Sequence, residues 1–417
     1  NLLAQEKMEE KRPKYNLPYK NTYLKEPFVT ENEFRTAKPE TITPGTFEEA
    51  KQILPDPTWS GHEKEIEMYW KAWQIGIGNI KAPEPDSGFV CSYLDVAYNG
   101  NIFMWDSAFM MMFARFGTRF FPFQRTLDNF YAKQHPDGFI CREIKADGAD
   151  CFERYDPTST GPNLLPWVEL TYYRQFGDID RLHKVFPALC AYAKWWRLNR
   201  TWPDGTYWSS GWGTGMDNMP RVKPEYNPIF SHGHMVWLDT NLQQMLVDES
   251  LLNIGFYIER WQEIEDMEDE MKRLRAYVNE HLWDERTAFL YDRYGDGTLC
   301  TTKGIGAFWA LQADALDKER LDRMVAHLSD TTEFDRPHRV PSLSADHPKY
   351  NPLGRYWQGG VWPGTNYMTI DGLYRKGYHD LAREIAANHY AAVFEVWKNT
   401  GTFWEYYAPE KIEPGFM

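Results

Sequence analysis

The sequence predicts an all-α fold in which helical hairpins close into an (α/α)6 barrel with long loops on one face. Three observations carry that expectation. Apolar residues recur at three- and four-residue spacing from about residue 62 to the end of the chain. The helical stretches pair through short links, and long links alternate with short ones, so in a closed ring the long links share one mouth. No strand–helix alternation and no glycine-rich phosphate loop competes with this reading.

Residues 1–60 hold Pro13, Pro18, Pro27, Pro39, Pro44, Pro55 and Pro57 and no sustained period. They read as an irregular arm wrapped on the body through Tyr and Phe contacts. The barrel is expected over 61–417. Its first helix starts near His62, where Ile66, Tyr69, Trp70, Trp73 and Ile77 form one apolar stripe. Helices are then expected over 105–117 and 121–134, 163–177 and 179–199, and 235–252 and 259–282. After a short strand at 289–292 come 303–316 and 318–328, and lastly 362–376 and 379–397, about eleven helices in all. Asp137-Gly138, Asp204-Gly205 and Asp296-Gly297 mark tight turns.

Composition limits function. Of 417 residues, 42% are hydrophobic and 25% charged, as in a globular chain. A formal charge of −14 argues against a nucleic-acid partner, which needs concentrated Lys and Arg. No apolar run of 18 residues could span a membrane. Aromatics reach 16%, more flat surface than a core needs and suited to stacking on sugar rings. The five cysteines are scattered, with no metal-ligand spacing; Cys141 and Cys151, the nearest pair, leave one disulfide open. The start Asn1-Leu2-Leu3-Ala4-Gln5 without methionine reads as the tail of a secretory signal, placing the protein in the periplasm or outside the cell, or else as a boundary on a cytoplasmic chain. No metal and no organic cofactor is implied.

Five stretches carry candidate chemistry. In the loop Ser209–Arg221, alternating glycines and Pro220 exclude regular structure around Asp217, and Trp208 and Trp212 put apolar surface beside it. Such surroundings raise a carboxyl pKa toward that of a general acid, whereas the simpler reading is an Asp closing a turn. Trp105 and Asp106 stand at a helix start, where Asp106 either caps the turn or faces a pocket. Arg142 and Glu143 follow an Asp-Gly turn and read either as a solvated pair or as site residues. Trp357, Gln358 and Trp362, spaced by glycines ahead of a helix, offer stacking faces and a two-way amide. Glu405 lies beside Trp404 among aromatics, where an unpaired carboxylate is costly and a working role becomes the better explanation.

Taken together, M-W-D-S-A-F, D-G-F-I-C-R-E-I, G-M-D-N-M-P-R, Y-W-Q-G-G-V-W-P-G-T-N-Y and G-T-F-W-E-Y-Y resemble, in order, the motifs of inverting glycosidases of glycoside hydrolase family 63 and the bacterial mannosylglycerate hydrolases, with trehalases more distant. The resemblance covers about 70–409. It implies Asp217 as general acid and Glu405 as general base. It implies that Trp105, Asp106, Glu143, Trp357, Gln358 and Trp362 line the sugar site. The family pattern continues into a further helix where this chain stops at Met417, and many members carry a β-sandwich for which there is no room here. The expectation is therefore a barrel-only member acting on a small α-glucoside or α-mannoside, with Arg142 or Arg221 meeting an acidic aglycone. Two rivals remain. One is a sugar epimerase using His232 and His234; the other is a sugar-binding protein that keeps the aromatic platforms without turnover.

Overall fold

The structure, a computed structural model, describes residues 25–96 and 99–416. Among these are nine α-helices of eight residues or more: α1 Glu63–Gly78, α2 Met104–Ala114, α3 Leu165–Phe176, α4 Ile179–Asn199, α5 Leu238–Tyr257, α6 Asp266–Tyr277, α7 Lys318–Val325, α8 Pro363–Arg375 and α9 His379–Thr400. Strands are confined to two-residue pairs, such as Ile102–Phe103 against Glu143–Ile144 and Met235–Val236 against Arg293–Tyr294. The molecule is thus helix-rich, as expected.

Helix α5 is buried nearly all round, so it lies inside. It packs against α3, α4 and α6 and against the 3₁₀ segment Ile305–Leu311. That segment packs in turn on α8, which pairs with α9, and α2 pairs with α3. The first long helix, α1, touches the last, α9. An aromatic knot joins the inner elements. Trp309 lies 6.4 Å from both Trp105 and Phe109 and 5.8 Å from Trp167, which reaches Tyr367 at 6.4 Å.

Two expected helices take other forms. The stretch 121–134 is split into the 3₁₀ segment Phe123–Leu127 and the short helix Asp128–Ala132; Pro122, with no N–H, interrupts the ladder ahead of them. The stretch 303–316 winds as 3₁₀ over Ile305–Leu311, squeezed between α5 and α8. The proline-rich arm is more regular than expected. Residues 1–24 of it fall outside the described residues, but Pro27–Glu31 and Phe47–Lys51 are helical, the latter begun by a Thr46–Glu49 capping box. Within its described part, Phe28 meets Phe186 edge-on at 6.0 Å and Phe34 meets Tyr131 at 5.4 Å. Each of the three Asp-Gly turns has its glycine at positive φ. No helix among the described residues is long and apolar enough to cross a membrane.

Candidate active site

Numbered in chain order, from the Trp105 stretch to the Glu405 stretch, the five stretches are joined in one circuit. The first and second are joined by the strand pair, with Phe103 opposite Glu143, and by the Met104 N–H donating to the Arg142 carbonyl at 2.8 Å. The second meets the third where the Arg142 guanidinium lies 5.3 Å from the Trp212 ring and 4.5 Å from that of Phe152. The third touches the first at Gly215, where a Cβ would stand 3.1 Å from the Trp105 ring. Asn218 ties the third to the fourth, accepting the Trp357 N–H at 2.8 Å. The fourth and fifth pair through Val361 and Tyr407, and the Tyr356 hydroxyl reaches Glu405 Oε1 at 3.5 Å.

Inside this circuit Asp106, Asp217 and Glu405 lie close enough to act on one another electrostatically. Asp217 is pushed up to about 6, chiefly by burial; the Arg142 charge and a hydrogen bond from Trp212 pull the other way, and the charge of Glu405 adds to the rise. Asp106 is also raised to about 6, by burial first and then by the charges of Glu405 and Asp217. Glu405 is raised by burial and partly restored by Tyr356. Solvent still reaches Asp106 and Glu405. Asp106 does not cap its helix, whose N-cap is Phe103. Glu143 does not pair with Arg142; it accepts from Asn101 Nδ2 at 2.8 Å.

Several expectations need correcting. Trp357 and Trp362 offer no free face. Trp357 is 1% exposed and stacks on Trp362 at 4.0 Å, and Tyr406 stacks on Trp362 at 4.8 Å. This three-ring stack is a scaffold, and Trp362 Nε1 uses its proton on the Tyr356 carbonyl at 3.3 Å. Arg221 is not free to meet an aglycone. It is buried over Trp237, with four hydrogen bonds of 2.6–2.8 Å to Asp239 and Asp292. Trp208 stands over Arg200 instead of beside the acid. Gln358 is engaged through Nε2 with the Asn218 carbonyl at 3.2 Å, whereas Trp404 is exposed. His232 and His234 pack on each other and on Trp202, and both Cys141 and Cys151 are free thiols. Sequence reasoning missed Tyr356 and Asn218, although both stand inside the quoted motifs.

Residues 99–414 match the mannosylglycerate hydrolase MGH1-like glycoside hydrolase domain. The chain belongs to that family. Among curated relatives, an uncharacterized protein of Borreliella burgdorferi is 24% identical over 70% of this chain and 60% of its own length. A probable mannosyl-oligosaccharide glucosidase of Schizosaccharomyces pombe is 24% identical over 56% of this chain and 32% of its own. The chain thus spans less than two thirds of either relative. In three dimensions it is similar to the mannosylglycerate hydrolase of Thermus thermophilus, crystallised with glucose: TM-score 0.64, 20% identity, 77% of this chain and 91% of that one. The neutral trehalase Nth1 of Saccharomyces cerevisiae also gives a TM-score of 0.64, at 14% identity over 78% of this chain and 71% of that one. At these identities the likeness speaks for the fold.

Proposed function

We propose that this chain is an inverting glycoside hydrolase, built on an (α/α)6 barrel, that cleaves an α-glucosidic or α-mannosidic bond in a small glycoside or oligosaccharide. What carries this reading is Asp217, whose carboxyl burial pushes up to about 6, within one circuit of loops that also holds a second raised carboxyl, Glu405, on a separate loop. Asp217 gives its proton to the glycosidic oxygen as the bond to the anomeric carbon breaks. Glu405, ionised, takes a proton from the water that attacks that carbon on the opposite face. Such a pair needs a span of roughly 6.5–9.5 Å to admit the water, which carboxyls on different loops suit. After turnover Asp217 is ionised and Glu405 protonated, and exchange with solvent restores both. Asp106 lies close enough to the pair for its proton to be coupled to theirs. The contact between α1 and α9 supports ring closure.

The relatives named as mannosylglycerate hydrolases, from Thermus thermophilus and Rubrobacter radiotolerans, make mannosylglycerate the first substrate to try. With Arg221 occupied, Arg142 is the cation placed to meet an aglycone carboxylate. The test is proton NMR of turnover on mannosylglycerate and a panel of α-glucosides and α-mannosides. A β-anomer as the first product, lost in Asp217→Asn and Glu405→Gln, is expected. Retained configuration, or full activity in either variant, would refute the assignment.

A further inference from the structure

Asn218 follows the acid directly and has no part in the chemistry just described. Its Oδ1 accepts the Trp357 N–H at 2.8 Å, its Nδ2 donates to the Arg355 carbonyl at 3.1 Å, and its own carbonyl accepts from Gln358 Nε2 at 3.2 Å. One amide therefore grips the backbone on both sides of Tyr356, more than a hundred positions along the chain. Tyr356 sits at φ +60°, the left-handed region that a side-chain-bearing residue holds only when its surroundings force it. Its hydroxyl donates to Glu405 Oε1 at 3.5 Å, while Trp362 Nε1 fastens its carbonyl from the other side.

We infer that Asn218 is a positioning residue: it locks the strained Tyr356 turn and so sets the Glu405 carboxylate, with the water it holds, against the acid one residue away. The inference rests on the acid–base reading above. Only an amide fits the role, because the two bonds need an acceptor and a donor on one planar group. Alanine removes both. Aspartate keeps the acceptor for the Trp357 N–H, loses the donor to Arg355, and adds a negative charge beside Asp217.

A double-mutant cycle tests this. Values of kcat and KM are measured on the α-glycoside turned over in the NMR panel. The proteins are the parent, Asn218→Ala, Tyr356→Phe and their double variant, with Asp217→Asn and Glu405→Gln beside them. A base displaced by about 1 Å costs on the order of a hundredfold, so Asn218→Ala is expected to lose ~10- to 100-fold in kcat with KM within about threefold. If the effect runs through the Tyr356 hydroxyl, the double variant falls no further than about threefold below the worse single variant. Additive losses, or an Asn218→Ala kcat within about twofold of the parent, overturn the inference. If that rate is unchanged while Asp217→Asn and Glu405→Gln are dead, the inference alone fails. If the latter two are active, the acid–base reading fails. Asn218→Asp carries the same test where the alanine variant does not fold. Amide exchange gives a readout free of turnover: the Trp357 N–H should exchange at least ~10-fold faster in Asn218→Ala, and unchanged protection in that variant overturns the inference.

Discussion

Arg221→Ala should destabilise the fold far more than an ordinary charge deletion. Arg221 is 6% exposed, and its partners Asp239 and Asp292 are 0% and 5% exposed. It donates Nη1 and Nη2 to Asp239, both at 2.7 Å, and Nε and Nη2 to Asp292 at 2.8 and 2.6 Å. Deleting it strands two buried carboxylates facing each other, and removing one side of a buried pair costs about 3–5 kcal/mol. Asp292 also accepts the Leu238 N–H at the start of α5, so the loss reaches the inner helix. Spread over the unfolding entropy of a chain of 417 residues, that cost lowers Tm by about 3–6 °C if the chain unfolds as one unit. Urea unfolding at pH 7 reads the difference. Arg221→Lys should recover only part of it, because an ammonium cannot fork onto two carboxylates. Asp239→Asn with Asp292→Asn in the Arg221→Ala background should recover stability by removing the stranded charges. A loss under about 1 kcal/mol for Arg221→Ala would place it with exposed pairs and refute the argument.

Three further outcomes follow from the same geometry. The pH profile of kcat/KM should fall on its alkaline side near 6, where the Asp217–Asp106 pair gives up the proton the acid needs. Arg142→Gln should move that limb to higher pH, since the cation now favours the ionised form of Asp217; an acidward shift would contradict its placement. Gly211→Ala should cost activity, because its Cβ would stand 2.5 Å from the Asp217 carbonyl oxygen and 2.3 Å from that of Pro228. Steady-state rates at unchanged far-UV circular dichroism check it, and a parental kcat would show that the loop yields. Trp357→Ala should lose about 3–5 kcal/mol in urea unfolding, as a buried indole does, while Trp404→Ala at 43% exposure should lose under about 1 and act, if anywhere, on KM. The reverse order would undo the distinction between scaffold and open face.

How much of this could be read from residues alone depends on the range of the cause. Helix α1 announces itself because its stripe is local, and so do the Asp-Gly turns. The grouping of the five motifs was legible too, since each joins glycine or aromatic residues to a polar group that a plain core would not need. What each member does was not. Arg221 looks like an anion receptor until Asp239 and Asp292, 18 and 71 positions away, are folded against it. Trp357 and Trp362 look like sugar platforms until Tyr406 covers the second face of the stack. The left-handed turn at Tyr356 leaves no mark, because local sequence would put glycine there; the strain is held by Asn218 from another loop.

The placement of the carboxyls follows from the arrangement of the inner elements. Helix α2 begins at Met104, whose N–H meets the Arg142 carbonyl, and α5 begins at Leu238, whose N–H meets Asp292 behind the acid loop. The 3₁₀ segment begins at Ile305, bonded to Ser342, which reaches Gly360 of the motif running into α8. The N-terminal ends of these elements therefore lie at the circuit of loops, and their dipoles favour negative charge there. In a chain of net charge −14, that field and Arg142 keep a cluster of acids tolerable without neutralising it. Burial then decides which acids hold their protons, raising Asp106 and Asp217 to about 6. Glu405 is raised by burial as well, and the hydrogen bond from Tyr356 pulls it back.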